Sequence, residues 1–189
     1  MRIVLASSSP RRLSLLIEHG YKFEVIKPEV DESRLDNEYP ADYVRRVALA
    51  KAEYASAPDS LTIGADTVVV LGSEFLYKPA NRPEAKMILE KLSGKEHHVY
   101  TGLALSCAAC GRRHVEYDRT IVHFNVLTEQ AILQYIDTGE PMDKAGAYGI
   151  QGMGSFLVKK IEGELDTVVG FPLKLFRKML EEHRECLKA

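Results

Sequence analysis

The stretch Ile3-Val4-Leu5-Ala6-Ser7-Ser8-Ser9-Pro10-Arg11-Arg12-Leu13-Ser14-Leu15-Leu16-Ile17 joins two periodicities with no linker between them. Ile3 to Ala6 is a short apolar run that predicts a buried strand. Ser9-Pro10 then reads as an N-cap followed by proline at the first helical position. Leu13, Leu16 and Ile17 supply the i, i+3, i+4 stripe of a helix, and Gly20 its stop.

Outward from this unit, strands and helices alternate. Tyr21 to Ile26 predicts a strand, Lys27 to Tyr39 a polar, acidic loop, and Pro40 the start of a second helix. Val44, Val47, Ala48 and Ala55 line one face of that helix, and Lys51 falls in the middle of it. Leu61 to Leu71 reads as a β-branched strand and Pro83 to Leu92 as a helix. Val99 to Ser106 and Thr120 to Val126 suggest strands around a polar stretch, Cys107 to Asp118. A helix capped by Thr128 follows to Ile136, with Gly139 beyond its end. Asp143 to Gly154 is glycine-rich, Phe156 to Ile161 reads as a strand, and a closing helix from Pro172 carries Leu173, Phe176 and Leu180. The expectation is an α/β layer architecture with a mixed sheet. The 189 residues fit one domain, 1–189, with room for two lobes around a cleft, against a prior of roughly 100–200 residues per domain.

Composition excludes several classes. Hydrophobic residues make up 46% and charged residues 28%, which sets aside disordered and collagen-like chains. With 25 Lys+Arg against 27 Asp+Glu, the net charge of -2 provides no global basic field, so neither nucleic acid nor membrane is expected as a partner. Cys107, Cys110 and Cys186 are too few and too unevenly spaced for a disulfide framework, and a cytoplasmic location is expected. No segment has the length of a membrane span or the pattern of a signal peptide.

Two guanidinium groups, Arg11 and Arg12, stand at a predicted helix N-terminus, where the dipole favours acids by roughly 0.3–1 kcal/mol each. Orphan N–H groups, the hydroxyls of Ser7 and Ser9, and arginine together describe a phosphate site; solvated arginines at an exposed cap are the equal alternative. Asp66 lies inside an apolar strand, where a carboxylate needs a partner, a hydrogen bond or a metal, unless it caps a turn. Lys51 on an apolar face calls for a carboxylate or a phosphate, and an ion pair with Asp66 would satisfy both. Lys78 before Pro79 is a further phosphate candidate, or simply solvated. Glu32 is a candidate to share a divalent cation with Asp66, or to face solvent. Gln151, among glycines that permit close approach, carries an amide able to read a base edge, in a segment that otherwise reads as a flexible turn cluster.

Other patterns fail. Gly94-Lys95 lacks the upstream glycine and following Ser/Thr of a P-loop. Cys107 and Cys110 form half a zinc ribbon and read as a hairpin tip. His97 and His98 are adjacent and would face opposite sides of a strand.

Taken in order, Ser7-Ser8-Ser9-Pro10-Arg11-Arg12, Val30-Asp31-Glu32, Ala50-Lys51-Ala52, Gly64-Ala65-Asp66-Thr67-Val68-Val69, Lys78-Pro79, and Asp143 through Gly152 resemble the Maf family of nucleotide pyrophosphatases. The segment Lys144 to Gly152 resembles the branch associated with dTTP and UTP. The resemblance implies an elongated α/β domain with a central mixed sheet, flanking helices and a substrate cleft between two lobes, similar to inosine triphosphate pyrophosphatases, often as a homodimer. It implies Asp66 as general base, and Arg11, Thr67 and Gln151 in substrate selection. Ser7, Ser9, Lys51 and Lys78 fall among the substrate-binding positions, and Glu32 and Asp66 would hold a divalent metal cation, magnesium or manganese. Tyr77 departs from the family, which usually has glycine before Lys-Pro. The implied reaction is water attack on the α-phosphate of a nucleoside triphosphate, giving monophosphate and pyrophosphate in a house-cleaning role. A nucleotide-binding regulator of septum formation is the alternative, and a nucleotidyl transferase a third.

Overall fold

A computed structural model describes residues 2–183, so Cys186 lies outside the described residues. The chain forms a seven-stranded mixed sheet with helices, as the alternating pattern predicts. The strands are β1 (Arg2–Ala6), β2 (Glu24–Ile26), β3 (Ser60–Leu71), β4 (Glu74–Leu76), β5 (Glu96–Cys107), β6 (Arg112–Phe124) and β7 (Val158–Glu162). The helices are α1 (Pro10–Glu18), α2 (Pro40–Tyr54), α3 (Arg82–Leu92), α4 (Glu129–Asp137), α5 (Leu165–Val169) and α6 (Leu173–Glu182). Strand order is β2-β1-β3-β5-β6-β7, with β4 paired to β3. β1 runs parallel to both β2 and β3, whereas β3–β4 and β6–β7 are antiparallel. None of the described helices is long and apolar enough to cross a membrane.

The chain separates into two compact units. The first comprises the chain through Asp66, Thr101–Asp118 and the residues from Gly170; the second comprises Thr67–Tyr100 and Arg119–Val169.

In the first unit, α2 packs on the sheet through backbone rather than through large side chains. A Cβ on Gly64 of β3 would lie 2.0 Å from the Ala48 carbonyl oxygen and 2.7 Å from the Ala52 nitrogen. On β5, a Cβ at Gly102 would lie 2.2 Å from the Val44 carbonyl oxygen. Ala48, Ala52 and Ala104 fill the remaining space as one buried cluster. Helix and strands therefore meet at small residues, and neighbouring long side chains are forced into a fixed register.

The second unit has its own core, in which α3 and α4 bring Leu89, Leu92, Ile132 and Tyr135 against Val69 of β3 and Phe124 of β6. The histidine pair divides as the strand period requires: His97 is buried and His98 half-buried. The His97 ring lies 2.8 Å from the Tyr148 hydroxyl through Nε2, and burial lowers its pKa to about 3, so it stays neutral. Thr128 caps α4 by accepting from the Ala131 N–H at 3.2 Å.

Several expected elements shift. α1 buries Arg12, Leu15 and Leu16, while Ile17 is 63% exposed, so the inward stripe begins one residue earlier than apolar character indicates. Ser9 stands at the N-cap of α1 but its side chain makes no cap bond; instead the Ser7 hydroxyl accepts from the Ser9 N–H at 3.1 Å. β2 covers only Glu24–Ile26 of the expected Tyr21–Ile26, and the Tyr21 ring meets Phe176 edge-on at 5.2 Å. The polar stretch Cys107–Asp118 is mostly strand, since β5 reaches Cys107 and β6 starts at Arg112; its outward residues are polar because they face solvent. α6 buries Met179 beside Leu173 and Phe176, leaving Leu180 half-buried.

Gly64→Ala is expected to cost about 1–3 kcal/mol, by overpacking against rigid backbone. Urea unfolding of Gly64→Ala beside wild type checks this, and a variant as stable as wild type would contradict the close approach of α2.

Candidate active site

The topology of the first unit selects a location. β1 leads through α1 to β2 on one side of it, and β2 leads through α2 to β3 on the other, giving the local order β2-β1-β3. In parallel α/β sheets the crevice at such a reversal, beyond the carboxyl ends of the strands, is where ligands bind. The β1–β3 pairing ends at Ala6↔Gly64. Ser7 to Arg12 follows directly after β1, and Asp66 stands two residues past Gly64.

Because strand side chains repeat every two residues, Gly64 and Asp66 share the face that meets α2. Lys51 is next to Ala52, the residue whose backbone touches Gly64. The register therefore delivers Lys51 to Asp66: Nζ lies 2.7 Å from Asp66 Oδ1 and 2.8 Å from Glu32 Oε1. Both Lys51 and Asp66 side chains are 8% exposed, whereas Glu32 is 52% exposed. A buried ion pair thus opens to solvent through a second carboxylate.

The loop that carries Glu32 is fastened to α2. Tyr43 donates its hydroxyl to the Glu32 carbonyl oxygen at 2.9 Å. Arg46 donates to both Glu38 carboxylate oxygens, at 2.7 and 2.9 Å, and to the Ser33 carbonyl at 2.9 Å. The Arg46 hydrogen bonds hold the Glu38 carboxyl below its ordinary value.

Arg12 points inward. Its Nε donates to the Gly170 carbonyl oxygen at 2.7 Å and its Nη1 to the Ala65 carbonyl oxygen at 3.0 Å. These bonds tie α1 to the residue preceding Asp66, and the burial of Arg12 sets aside the solvated alternative for it. Burial raises the Asp66 carboxyl above the ordinary aspartate value, and the nearby charges of Lys51 and Arg12 oppose that rise. A carboxylate with this balance is a better proton acceptor than a solvated one.

The remaining sequence candidates are distributed unevenly. Ser7 is buried with its hydroxyl in the turn, while Ser9 and Arg11 are half-buried at the start of α1. Thr67 follows Asp66 in β3 and is half-buried; Lys78 and Gln151 are exposed, and all three belong to the second unit. Tyr43 and Arg46 were not singled out from sequence, because ordinary helix residues gave no sign of reaching across to an acidic loop.

Among the described residues no group of three or more His, Cys, Asp or Glu is arranged to hold a metal ion. Glu32 and Asp66 do aim hard oxygen donors at one positive charge. Two carboxylates suit a magnesium-type cation when phosphate oxygens and water complete its shell, so the donor set fits.

Replacing Lys51 with methionine should cost about 3–5 kcal/mol, because it leaves Asp66 buried without its ammonium. The sign of the pH dependence follows from Asp66. Its folded pKa is raised by burial, and loss of Lys51 raises it further. The penalty is therefore smallest, and flat, below the wild type's folded Asp66 value, which already lies above the ordinary aspartate range, and it grows as pH rises from there toward the still higher folded value of the variant. Denaturant unfolding of Lys51→Met and wild type across that range checks the direction.

The matching family model is that of Maf-like protein, aligned with residues 2–183. The chain is 46% identical over 183 residues to a dTTP/UTP pyrophosphatase of Symbiobacterium thermophilum, covering 96% of this chain and 93% of that one. It is 46% identical over 175 residues to a dTTP/UTP pyrophosphatase of Vibrio cholerae, covering 91% and 92%. A dTTP/UTP pyrophosphatase of Thermotoga maritima is 47% identical over 186 residues, covering 96% and 89%. With a single family model spanning the described residues from Arg2 to His183, the chain belongs to the Maf-like protein family.

Proposed function

We propose that this chain hydrolyses dTTP and UTP to the corresponding nucleoside monophosphates and pyrophosphate. The observation that carries this reading is the buried Asp66 carboxylate, held 2.7 Å from Lys51 at the carboxyl end of the parallel strands. The shared identity with dTTP/UTP pyrophosphatases over most of both chains supports the choice of substrate.

In this mechanism Asp66 orients a water molecule and takes its proton as the oxygen attacks the α-phosphorus. The bond between the α-phosphorus and the α,β-bridging oxygen breaks, and pyrophosphate departs with the electron pair. Lys51 stabilises charge developing on the phosphates, and Arg11 does so from the start of α1, where backbone N–H groups also favour an anion. Ser7 shapes the turn that presents those groups, and Ser9 stands at its helix end. Thr67, Lys78 and Gln151 are assigned to the nucleotide by their motifs, Lys78 to phosphate and Gln151 to the base. A magnesium or manganese ion held by Glu32 and Asp66 would supply Lewis-acid polarisation of the phosphate oxygens.

The test is a panel of purified triphosphates including dTTP and UTP, with free phosphate measured with and without added inorganic pyrophosphatase. Phosphate released from dTTP and UTP only when the coupling enzyme is present is the expected result. Phosphate without the coupling enzyme means γ-cleavage and contradicts the mechanism; binding without product favours a regulator. Asp66→Asn should lower turnover by about 10²–10⁴-fold in a folded protein. Because burial raises the Asp66 carboxyl, kcat/KM should fall on acidification already above the ordinary aspartate range.

A further inference from the structure

We propose that Tyr135 and Glu140 form a single positioning pair that sets the backbone on both sides of Gln151 and thereby determines pyrimidine recognition, an inference that rests on the nucleotide reading above. Tyr135, at 2% exposure, donates its hydroxyl to Glu140 Oε1 at 2.9 Å and accepts from the Gly149 N–H at 2.9 Å. The other carboxylate oxygen, Glu140 Oε2, accepts from the Met153 N–H at 3.1 Å. One phenol and one carboxylate thus grip the chain two residues before and two residues after the exposed Gln151.

The pair also accounts for glycines in this segment. A Cβ on Gly149 would meet Glu140 Oε1 at 2.8 Å, and one on Gly154 would meet the Tyr135 hydroxyl at 2.7 Å and the Gly149 carbonyl at 2.3 Å. The close approach these glycines permit is therefore to the protein's own Tyr135 and Glu140. Glu140 is itself fixed: its N–H donates to the Thr138 hydroxyl at 3.1 Å, and its carbonyl oxygen accepts from Lys144 Nζ at 2.6 Å. Burial raises the Tyr135 phenol further above neutrality, so it remains a donor to the carboxylate. Gly149 and Met153 take these bonds from side chains outside any strand ladder. An amide that reads donor and acceptor positions on a base edge needs its backbone held in this way, because a misplaced amide loses both hydrogen bonds together.

Tyr135→Phe, Glu140→Ala, Glu140→Gln and Gln151→Ala are compared by steady-state kinetics with dTTP and UTP, by calorimetric binding of dTTP, and by thermal melting. Inorganic triphosphate, which has no base, serves as a competitive inhibitor. Tyr135→Phe and Glu140→Ala should raise KM for dTTP and UTP by about tenfold, the worth of one or two hydrogen bonds, with kcat nearly unchanged. Inhibition by inorganic triphosphate should not move. Glu140→Gln, which keeps an acceptor oxygen for the Met153 N–H, should recover part of the loss. Adding Gln151→Ala to Tyr135→Phe should bring no further loss, because both remove the same contact. Losses that add, or that weaken inorganic triphosphate equally, overturn the proposal in favour of a merely structural pair. An active wild type with unchanged KM in folded variants overturns this proposal alone. A wild type that releases no pyrophosphate overturns the function reading instead, and dTTP binding by the same variants still decides the pair. If Tyr135→Phe fails to fold, Glu140→Gln carries the comparison.

Discussion

The contact of Gly64 with the backbone of α2 is the constraint on which the chemistry depends. A Cβ there would sit 2.0 Å from the Ala48 carbonyl oxygen, so the helix can lie this close only over glycine. Once it does, the two-residue strand period and the neighbouring helix position leave Lys51 and Asp66 facing one another with little water between them. Burial and proximity are then opposed: desolvation raises the carboxyl, and the ammonium restrains the rise. The pair is costly to bury, and buried ion pairs are commonly no better for stability than apolar replacements. Its retention at the carboxyl ends of parallel strands is explained by reactivity more readily than by stability.

Around this pair, the first unit invests its polar contacts in holding positions. Arg12 reaches the Ala65 carbonyl, one residue before Asp66, and the Gly170 carbonyl, which joins α1 to the segment that opens α6. Tyr43 and Arg46 fasten the acidic loop so that Glu32 meets Lys51 although its side chain is half-exposed. In the second unit the same logic recurs with different residues, where Tyr135 and Glu140 clamp the chain about Gln151.

Much of this was legible in the sequence where a local rule was broken. A lysine on an apolar helix face and an aspartate in a β-branched strand each violate patterning, and the structure joins those two anomalies. For Arg12 the sequence shows a charge at a helix start but not its direction, and burial sends its Nε and Nη1 to backbone carbonyls. The first half of β6, Arg112 to Asp118, was obscured because an exposed strand carries polar residues that look like loop, whereas the sequence from Thr120 reads as strand. Tyr135 and Glu140 gave no signal at all, because their partners are backbone N–H groups brought near only by the folded loop.

Where the new oxygen enters the products decides whether water attacks the α-phosphorus, as the roles proposed for Asp66 and Lys51 require. Hydrolysis of dTTP or UTP in water enriched in heavy oxygen, with mass analysis of both products, follows the attacking water directly. Attack at the α-phosphorus places the label in the nucleoside monophosphate and leaves the pyrophosphate unlabelled. Label in the pyrophosphate would show attack at the β-phosphorus and contradict the role assigned to Asp66 and Lys51.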